Sequence, residues 1–150
     1  MDTRLRPVCL ADMRKMLEWR NKPEIRKWFF DSRALTLKDQ ELWYSKYIQK
    51  NDDQMFIIEV QTVGVGTIAV YNIDMKDKKA EIGRILIGES EYRSRGYAFQ
   101  AGCLMLKYAF CSLGLERLYL SMFADNEAAH NLYLKLGFLR DRVLGDTIVT

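Results

Sequence analysis

The segment from Glu81 to Gly114 constrains the fold of this chain more than any other part. It opens with "EIGRILIG", an apolar run that predicts a strand, and continues into "AFQAGCLMLKYAFCSLG", which predicts a helix covered on most sides. Between them, "YRSRGYA" places two arginines and Gly96 at the entry to the helix. A strand that passes through a glycine turn into a largely apolar helix predicts that the helix crosses a sheet, as in an α/β domain.

The flanking sequence predicts further strands on both sides of this segment. "MFIIEV" and "VGTIAVYNI" are β-rich runs joined by the turn "QTVG", and "DMKDKK" leads from them into the strand at Glu81. After the apolar helix, "RLYLSMF" predicts one more strand, and Asn126 and Gly137 are placed to begin and end a closing helix. We therefore expect three successive antiparallel strands followed by a β-α-β-α close on one mixed sheet.

Two helices are predicted nearer the amino terminus. The first covers about residues 11–20, and a capping-box pattern from Thr36 to Asp39 opens the second, which extends to about Gln49. Pro23 breaks the helical periodicity between them, in "NKPEIRKWFFDSRAL". The aromatic loop that results either packs against the helices or binds a ligand.

Composition and charge exclude several classes of protein. The chain has 150 residues, 49% of them hydrophobic, which predicts a single domain over residues 1–150. The 23 basic and 20 acidic residues are dispersed, so no nucleic-acid partner is expected. Neither a signal-peptide pattern nor a membrane-length apolar run is present, so we expect a cytoplasmic protein without a membrane partner.

The cysteines and the histidine carry a separate prediction. Cys9, Cys103 and Cys111 form no CxxC pair, and two of them lie within apolar runs, which predicts buried free thiols in a reducing compartment. His130 is the only histidine, so no metal site is expected.

The arginine-glycine turn has the chemistry of an anion site. A helix amino terminus carries unpaired N–H groups and the positive end of the helix dipole. Gly96 would let the backbone approach a ligand closely, Ala98 keeps the first helical turn small, and Arg93 and Arg95 could supply charge at the rim. The alternative is a turn that is merely solvated, but its place between strand and helix favours a pyrophosphate site.

The sequence here resembles the GNAT acetyltransferase superfamily. "RSRGYA" matches its R/Q-x-x-G-x-G/A acetyl-coenzyme A signature, and "NEAAHNLYLKLGF" resembles its second cofactor segment. The resemblance implies an α/β (α+β) GNAT fold, with a mixed, mostly antiparallel central sheet flanked by about four helices. It also implies that acetyl-CoA is the cosubstrate. The cofactor-binding residues implied are Leu86 and Ile87 for the pantetheine amides, Arg93, Ser94, Arg95, Gly96, Tyr97 and Ala98 for the pyrophosphate, and Asn126 for the pantetheine arm.

Acetyl transfer to an amine requires a neutral amine, an oxyanion site and a proton for the leaving thiolate. By resemblance, Tyr133 in "NLYLKLGF" is the acid, although a core tyrosine is the structural alternative. Glu81 is the best base, unless water serves or the carboxylate is simply solvated. The thiols of Cys103 and Cys111 lie in a nearly all-apolar helix, so direct attack in a ternary complex is favoured over an acyl-cysteine intermediate.

The acceptor is expected to contact the aromatic loop. "EWRNKPEIRKWFF" resembles the opening of GNAT enzymes that acetylate nucleotide-linked amino-dideoxy sugars, such as the pseudaminic acid pathway type. Arg26, Trp28 and Phe29 would then bind phosphate and base, whereas the alternative is that the two aromatic residues clamp the first two helices. Rim-type acetylation of ribosomal-protein N-termini is the second hypothesis, and a non-catalytic CoA-binding module the third.

The carboxyl-terminal end departs from the resemblance. After Gly137 and Phe138 only "LRDRVLGDTIVT" follows, which is short for the final hairpin of the family. The last strand is then abbreviated, truncated, or completed by another subunit. Exposed sheet edges in this fold make a homodimer a further expectation.

Overall fold

The computed structural model describes residues 2–29, 31–123, 125–139, 142–144 and 147–149. The strands are β1 (Thr3–Pro7), β2 (Asp53–Val60), β3 (Val63–Asp74), β4 (Lys79–Ile87), β5 (Arg117–Tyr119), β6 (Ser121–Phe123), β7 (Arg142–Leu144) and β8 (Thr147–Val149). The α-helices are α1 (Met13–Asn21), α2 (Pro23–Arg26), α3 (Leu37–Tyr47), α4 (Tyr97–Lys107) and α5 (Glu127–Lys135). Short 3-10 turns precede α1 and the loop before α4, and a π-helical turn, Tyr108–Ser112, extends α4.

The strands form two sheets, and the point where they separate defines the fold. The larger sheet has the order β1-β2-β3-β4-β5, antiparallel except for the parallel pair β4–β5. That parallel pairing covers only Lys79–Glu81 of β4, opposite Arg117–Tyr119. Beyond Leu120 the chain enters β6, which pairs with β8 in a second sheet of order β6-β8-β7. The strands β4 and β5 therefore diverge after Glu81 and Tyr119, and the rest of β4 has an open edge on the β5 side.

Alternation along the strands builds a hydrophobic layer on each face of the larger sheet. Phe56 and Ile58 of β2 face the main core, which also takes α4 and Tyr133 of α5. Met55 and Ile57, their neighbours, face a second core that contains the buried residues of α1 and the aromatic residues of α3. The sheet is thus covered on both sides, which is the mixed α/β architecture that the sequence predicts.

Two backbone features locate the sheet's turn and its kink. Gln61 and Thr62 both have positive φ, 49° and 73°, and close the β2–β3 hairpin as a two-residue turn. Arg84 also has positive φ, 51°, and the β3–β4 register shifts around it, so β4 carries a β-bulge there. The bulge turns the Arg84 side chain toward the α1–α3 face, where it lines a cavity.

The local predictions are confirmed in most places and wrong in two. The capping box is present, with Thr36 Oγ1 accepting from the Asp39 N–H at 3.1 Å. "RLYLSMF" is two strands rather than one, because the chain leaves the first sheet at Leu120. The segment around Pro23 contains the short helix α2, whereas the broken periodicity there predicts a loop.

The cysteine prediction is also wrong. Cys103 and Cys111 are exposed rather than buried, as is Cys9, because they lie on the outer side of α4 and its π-helical turn, away from Met105 and Ala109 in the core. No helix within the described residues is long and apolar enough to cross a membrane.

Candidate active site

The loop before α4 presents a row of unpaired backbone donors. Ser94 and Gly96 both have positive φ, 59° and 84°, and Gly96 caps α4 without a side-chain hydrogen bond. Within the described residues, the N–H groups of Ser94, Gly96, Tyr97 and Ala98 have no acceptor, whereas residues 93 and 94 form a turn that the Arg95 N–H closes. Such consecutive N–H groups at the positive end of a helix form an anion-binding concavity. Ser94, Arg95, Gly96, Tyr97 and Ala98, which the family resemblance assigns to the pyrophosphate, lie in this loop and first helical turn.

The two arginines of this loop differ in what they contact. Arg95 is exposed, and no partner contacts it in the described part of the chain, so its charge is available to a ligand. Arg93 instead donates from Nε to the Ile87 carbonyl at 2.8 Å and from Nη1 to Glu24 Oε2 at 3.2 Å. Its backbone N–H also donates to the Ser90 carbonyl. The expectation that Arg93 supplies charge and an amide to the pyrophosphate does not match these contacts, because both groups are already paired.

The open edge of β4 distinguishes Leu86 from Ile87. The Gly88 N–H donates to Val65 of β3 at 2.7 Å, and backbone polar groups alternate in direction along a strand. The polar groups of Ile87 therefore face the open edge, and those of Leu86 face β3. Ile87 has the orientation needed to pair with pantetheine amides through its N–H. The Leu86 side chain instead lines the cavity on the α1–α3 face.

The two predicted catalytic residues lie in different environments. Tyr133 is 5% exposed and packs edge-on against Phe138 in the main core. Its ring therefore has the packing that the core-tyrosine alternative predicts. Its hydroxyl has no hydrogen-bond partner among the described residues. The hydroxyl oxygen is not among the fully buried polar atoms without a partner, so it retains some solvent-accessible surface. Burial raises the pKa of Tyr133 well above its ordinary value, and the nearby Tyr71 raises it further. Tyr133 is protonated at neutral pH, as an exposed tyrosine also is, and burial makes it the weaker acid of the two.

Glu81 is held by a pair of side chains that the sequence did not indicate. The Tyr71 hydroxyl donates to Glu81 Oε2 at 3.3 Å, and Asn72 Nδ2 donates to Oε1 at 3.2 Å. The Tyr71 ring also lies under the Arg84 guanidinium, 4.2 Å from the ring centroid. Glu81 does not line the cavity on the α1–α3 face, and Tyr71 and Arg84 connect it to that cavity.

Asn126 has a structural role at the start of α5. Its side-chain oxygen accepts from the Ala129 N–H at 3.2 Å, so it caps the helix as the sequence predicts. The cap fixes the amino-terminal end of the helix that carries Tyr133. The Asn126 side-chain amide group remains available to a ligand.

A cavity of about 460 Å³ lies between the larger sheet, α1 and α3. In the described chain, its wall is aromatic and apolar with four cationic side chains and one carboxylate. The aromatic and charged side chains of the wall include Trp19, Arg20, Phe29, Arg33, Asp39, Trp43, Lys46 and Arg84. Arg84 is paired in two hydrogen bonds with the buried Asp53, and Arg33 contacts Asp31 and Asp39. Arg20 and Lys46 have no carboxylate within ion-pair distance in the described chain. The cavity is therefore positively charged.

Arg20, in the cavity wall, has one guanidinium nitrogen without a hydrogen-bond partner in the described chain. Its guanidinium lies 3.9 Å from the Phe29 ring centroid, and Nη2 donates to the Asp31 carbonyl. Its Nη1 is buried with no hydrogen-bond partner in the described chain. Burial lowers the pKa of Arg20, yet an arginine remains charged at neutral pH. A buried donor without a partner costs about 1–3 kcal/mol.

The "WRN" motif is now explained by contacts that shape the cavity. Trp19 Nε1 donates to Glu89 at 2.6 Å, and Arg20 packs on Phe29. Asn21 makes two hydrogen bonds to the backbone of Leu35, at 2.7 and 2.8 Å. Each side chain thus fixes a different segment of the cavity wall.

Of the predicted acceptor residues, only Phe29 lines the cavity. Trp28 is half-buried with the Lys27 ammonium 5.0 Å from its ring centroid, and Arg26 lies outside the lining. Trp43 and Lys46 of α3 and Arg84 of the bulge were not predicted. A helical pattern gives no sign of which polar face meets a cavity, and the bulge that orients Arg84 is a tertiary feature.

The divergent strands, the amide-lined loop at a helix start and the enclosed tyrosine together define the class of acyl-CoA-dependent transferases. Residues 2–139 match the family model described as the acetyltransferase (GNAT) domain. The chain belongs to the GNAT acetyltransferase family, and it is an N-acetyltransferase that uses acetyl-CoA as its cosubstrate.

Several known proteins are similar to the chain. The spermidine N(1)-acetyltransferase of Escherichia coli (strain K12) is 28% identical over 135 residues, covering 90% of this chain and 72% of that protein. The putative ribosomal N-acetyltransferase YdaF of Bacillus subtilis (strain 168) is 26% identical over 127 residues, covering 81% and 68%. The crystal structure of the Vibrio cholerae spermidine N-acetyltransferase with CoA and spermine superposes with a TM-score of 0.87 at 24% identity, covering 99% and 92%. This last likeness concerns the fold alone.

Proposed function

We propose that the chain acetylates a primary amine on a small anionic acceptor, with a nucleotide-linked amino-dideoxy sugar as the first candidate. The positive charge of the cavity is the observation that carries this proposal. Arg20 and Lys46 face the cavity without a carboxylate partner among the described residues, and the carboxylates nearby are already paired with Arg33 and Arg84. Unit charges about 4 Å apart near a protein surface interact by about 4 kcal/mol, so the sign of the acceptor's charge matters.

The cavity has a place for each part of such an acceptor. The Arg20 guanidinium lines the cavity, and charge-assisted hydrogen bonds from arginine to phosphate are among the stronger contacts in proteins. Trp43 and Phe29 offer aromatic surface for a base. The cavity volume of about 460 Å³ is in the range typical of small-molecule sites.

A polyamine is the second candidate, and the sequence relatives favour it. Two spermidine N(1)-acetyltransferases, from Escherichia coli and Vibrio cholerae, are 27–28% identical over about nine-tenths of the chain. A polycationic acceptor would need several unpaired carboxylates, whereas Asp39 is the one carboxylate that lines the cavity in the described part of the chain, and it lies 3.8 Å from Arg33. The charge of the cavity therefore supports the anionic acceptor over the polyamine. The Rim-type hypothesis has support only from the likeness to YdaF.

The chemistry proposed is direct attack of the amine on acetyl-CoA in a ternary complex. Tyr133 protonates the leaving thiolate, since a tyrosine hydroxyl carries its proton at neutral pH. Glu81, which accepts a hydrogen bond from the Tyr71 hydroxyl, is the proposed acceptor of the amine proton. Water is the alternative base. The exposed positions of Cys103 and Cys111 on the outer side of α4 support the absence of an acyl-cysteine step.

A charge-removal experiment tests the acceptor. Lys46→Met removes an exposed cation from the cavity wall, and no carboxylate loses an ion-pair partner among the described residues. We expect it to raise the KM of a nucleoside-diphosphate amino-dideoxy sugar about tenfold and to leave or lower the KM of spermidine. Lys107→Met, on the exposed side of α4, is the matched control and should change neither value. If Lys46→Met leaves the KM of the nucleotide sugar unchanged, the cavity cation does not bind the acceptor, and the polyamine is favoured.

A further inference from the structure

The junction between β4 and the pyrophosphate loop, residues 87–89, is held in place by side chains of the amino-terminal helices and by Arg93. Lys22, which links α1 to α2, donates from Nζ to the Gly88 carbonyl at 2.6 Å. Arg93 donates to the same carbonyl at 3.4 Å and to the Ile87 carbonyl at 2.8 Å. Glu24 of α2 completes the contact with Arg93 at 3.2 Å. Two cations thus fix two consecutive carbonyls at the end of the strand that receives the cofactor.

A second contact fixes the same junction from α1. The Trp19 indole donates to Glu89 at 2.6 Å, and Lys15 pairs with Glu89 at 3.1 Å. Gly88 is buried against the Trp19 ring so closely that an added Cβ would lie 2.0 Å from it. The indole therefore packs directly on the backbone of the junction. Residues 87–89 are therefore held against the α1–α2 segment by hydrogen bonds, an ion pair and ring packing.

We propose that Lys22 and Arg93 are positioning residues for CoA, which tie the acceptor-side helices α1 and α2 to the strand end and loop that bind the cofactor. Arg93 acts through the Ile87 and Gly88 carbonyls rather than on phosphate. In the chain, the Ile87 N–H and the N–H groups of Ser94, Gly96, Tyr97 and Ala98 lie on either side of the carbonyl that Lys22 and Arg93 share. Fixing these carbonyls sets the distance between the pantetheine edge and the pyrophosphate loop.

The binding of CoA itself tests this proposal and requires no acceptor, so its failure is distinct from a failure of the proposed function. The dissociation constant of CoA is measured by calorimetry at about 50 mM and about 300 mM NaCl, because a direct phosphate contact weakens with salt. Lys22→Met should weaken CoA about tenfold at both salt concentrations, since it removes a charge-assisted hydrogen bond to a backbone carbonyl. Arg93→Met should behave in the same way.

Three variants make the result specific. Arg95→Met is the comparator for a phosphate contact, and its loss of CoA affinity should be larger at low salt. Lys22→Arg keeps a cationic donor and should restore CoA affinity to within about threefold of the unmodified protein. Lys107→Met is the surface control, for which CoA affinity should not change. A melting curve of each variant separates a loss of fold from a loss of CoA.

Two results would overturn the proposal. If Lys22→Met binds CoA as the unmodified protein does, the α1–α2 segment does not position the cofactor. If Arg93→Met loses affinity only at low salt, as Arg95→Met is expected to, Arg93 is a phosphate ligand. Should Arg93→Met fail to fold, Lys22→Met and its arginine rescue still decide the matter, because Lys22 contributes a single hydrogen bond to the junction.

Discussion

The buried ion pair beneath the cavity gives the sharpest stability prediction. Asp53 of β2 has a side chain 3% exposed and makes two hydrogen bonds, at 2.8 and 3.0 Å, to the Arg84 guanidinium on the bulge of β4. Asp53→Ala would leave Arg84, whose side chain is 24% exposed, without its carboxylate. Removing one partner of a buried pair costs about 3–5 kcal/mol. We take the lower part of that range, because Arg84 retains some solvent.

The expected shift in melting temperature follows from the size of the chain. A domain of 150 residues has an unfolding entropy of about 0.3 kcal/mol/K, so a loss of about 3 kcal/mol lowers the melting temperature by about 10 °C. Asp31→Ala is the matched control, because Asp31 and its partner Arg33 are 62% and 64% exposed. Its cost should stay within about 0.5 kcal/mol. Both are measured by thermal and urea unfolding.

A double-mutant cycle isolates the pair. Asp53→Ala combined with Arg84→Met should cost less than the sum of the single changes by about 2 kcal/mol, because the second change removes the orphaned charge. If Asp53→Ala costs no more than Asp31→Ala, the pair does not stabilise the fold and the argument is wrong.

Three further predictions concern the catalytic tyrosine, the base and alkaline pH. Tyr133→Phe should lower kcat about 10²–10⁴-fold with an unchanged dissociation constant for CoA, and an unchanged kcat would show that Tyr133 is not the acid. Glu81→Gln should change the pH dependence of kcat/KM, whereas an unchanged profile leaves water as the base. Burial raises the pKa of Tyr71 and Tyr133, so the unfolded chain loses these protons first as pH rises above about 10. Stability should therefore fall there by about 1.4 kcal/mol per pH unit for each tyrosine, a slope that Tyr133→Phe should reduce in urea titrations, and an unreduced slope would contradict the cause given.

Local sequence patterns predicted the parts of the fold that depend on neighbouring residues. The capping box at Thr36, the hairpin turn after Val60 and the glycine entry at Gly96 each depend on a few consecutive residues, and each is present. Asn126 caps its helix as predicted. The fold class followed from these elements together with the resemblance to the family.

The rest of the site depends on contacts between distant segments. The division of "RLYLSMF" at Leu120 follows from pairing with β8, more than twenty residues further along the chain, and no local pattern encodes it. Arg93 is a rim cation by sequence, but its guanidinium meets Glu24, 69 residues away. Trp43 and Lys46 enter the cavity because α3 packs across from α1, which a helical pattern does not specify.

The central claim is that the acceptor of this N-acetyltransferase is an anionic amine. The measurement that tests it most directly is the release of CoA thiol from acetyl-CoA by the unmodified protein, as kcat/KM, with a nucleoside-diphosphate amino-dideoxy sugar and with spermidine under the same conditions. Our account predicts that kcat/KM is at least about tenfold higher for the nucleotide sugar. An equal or higher kcat/KM for spermidine would contradict it.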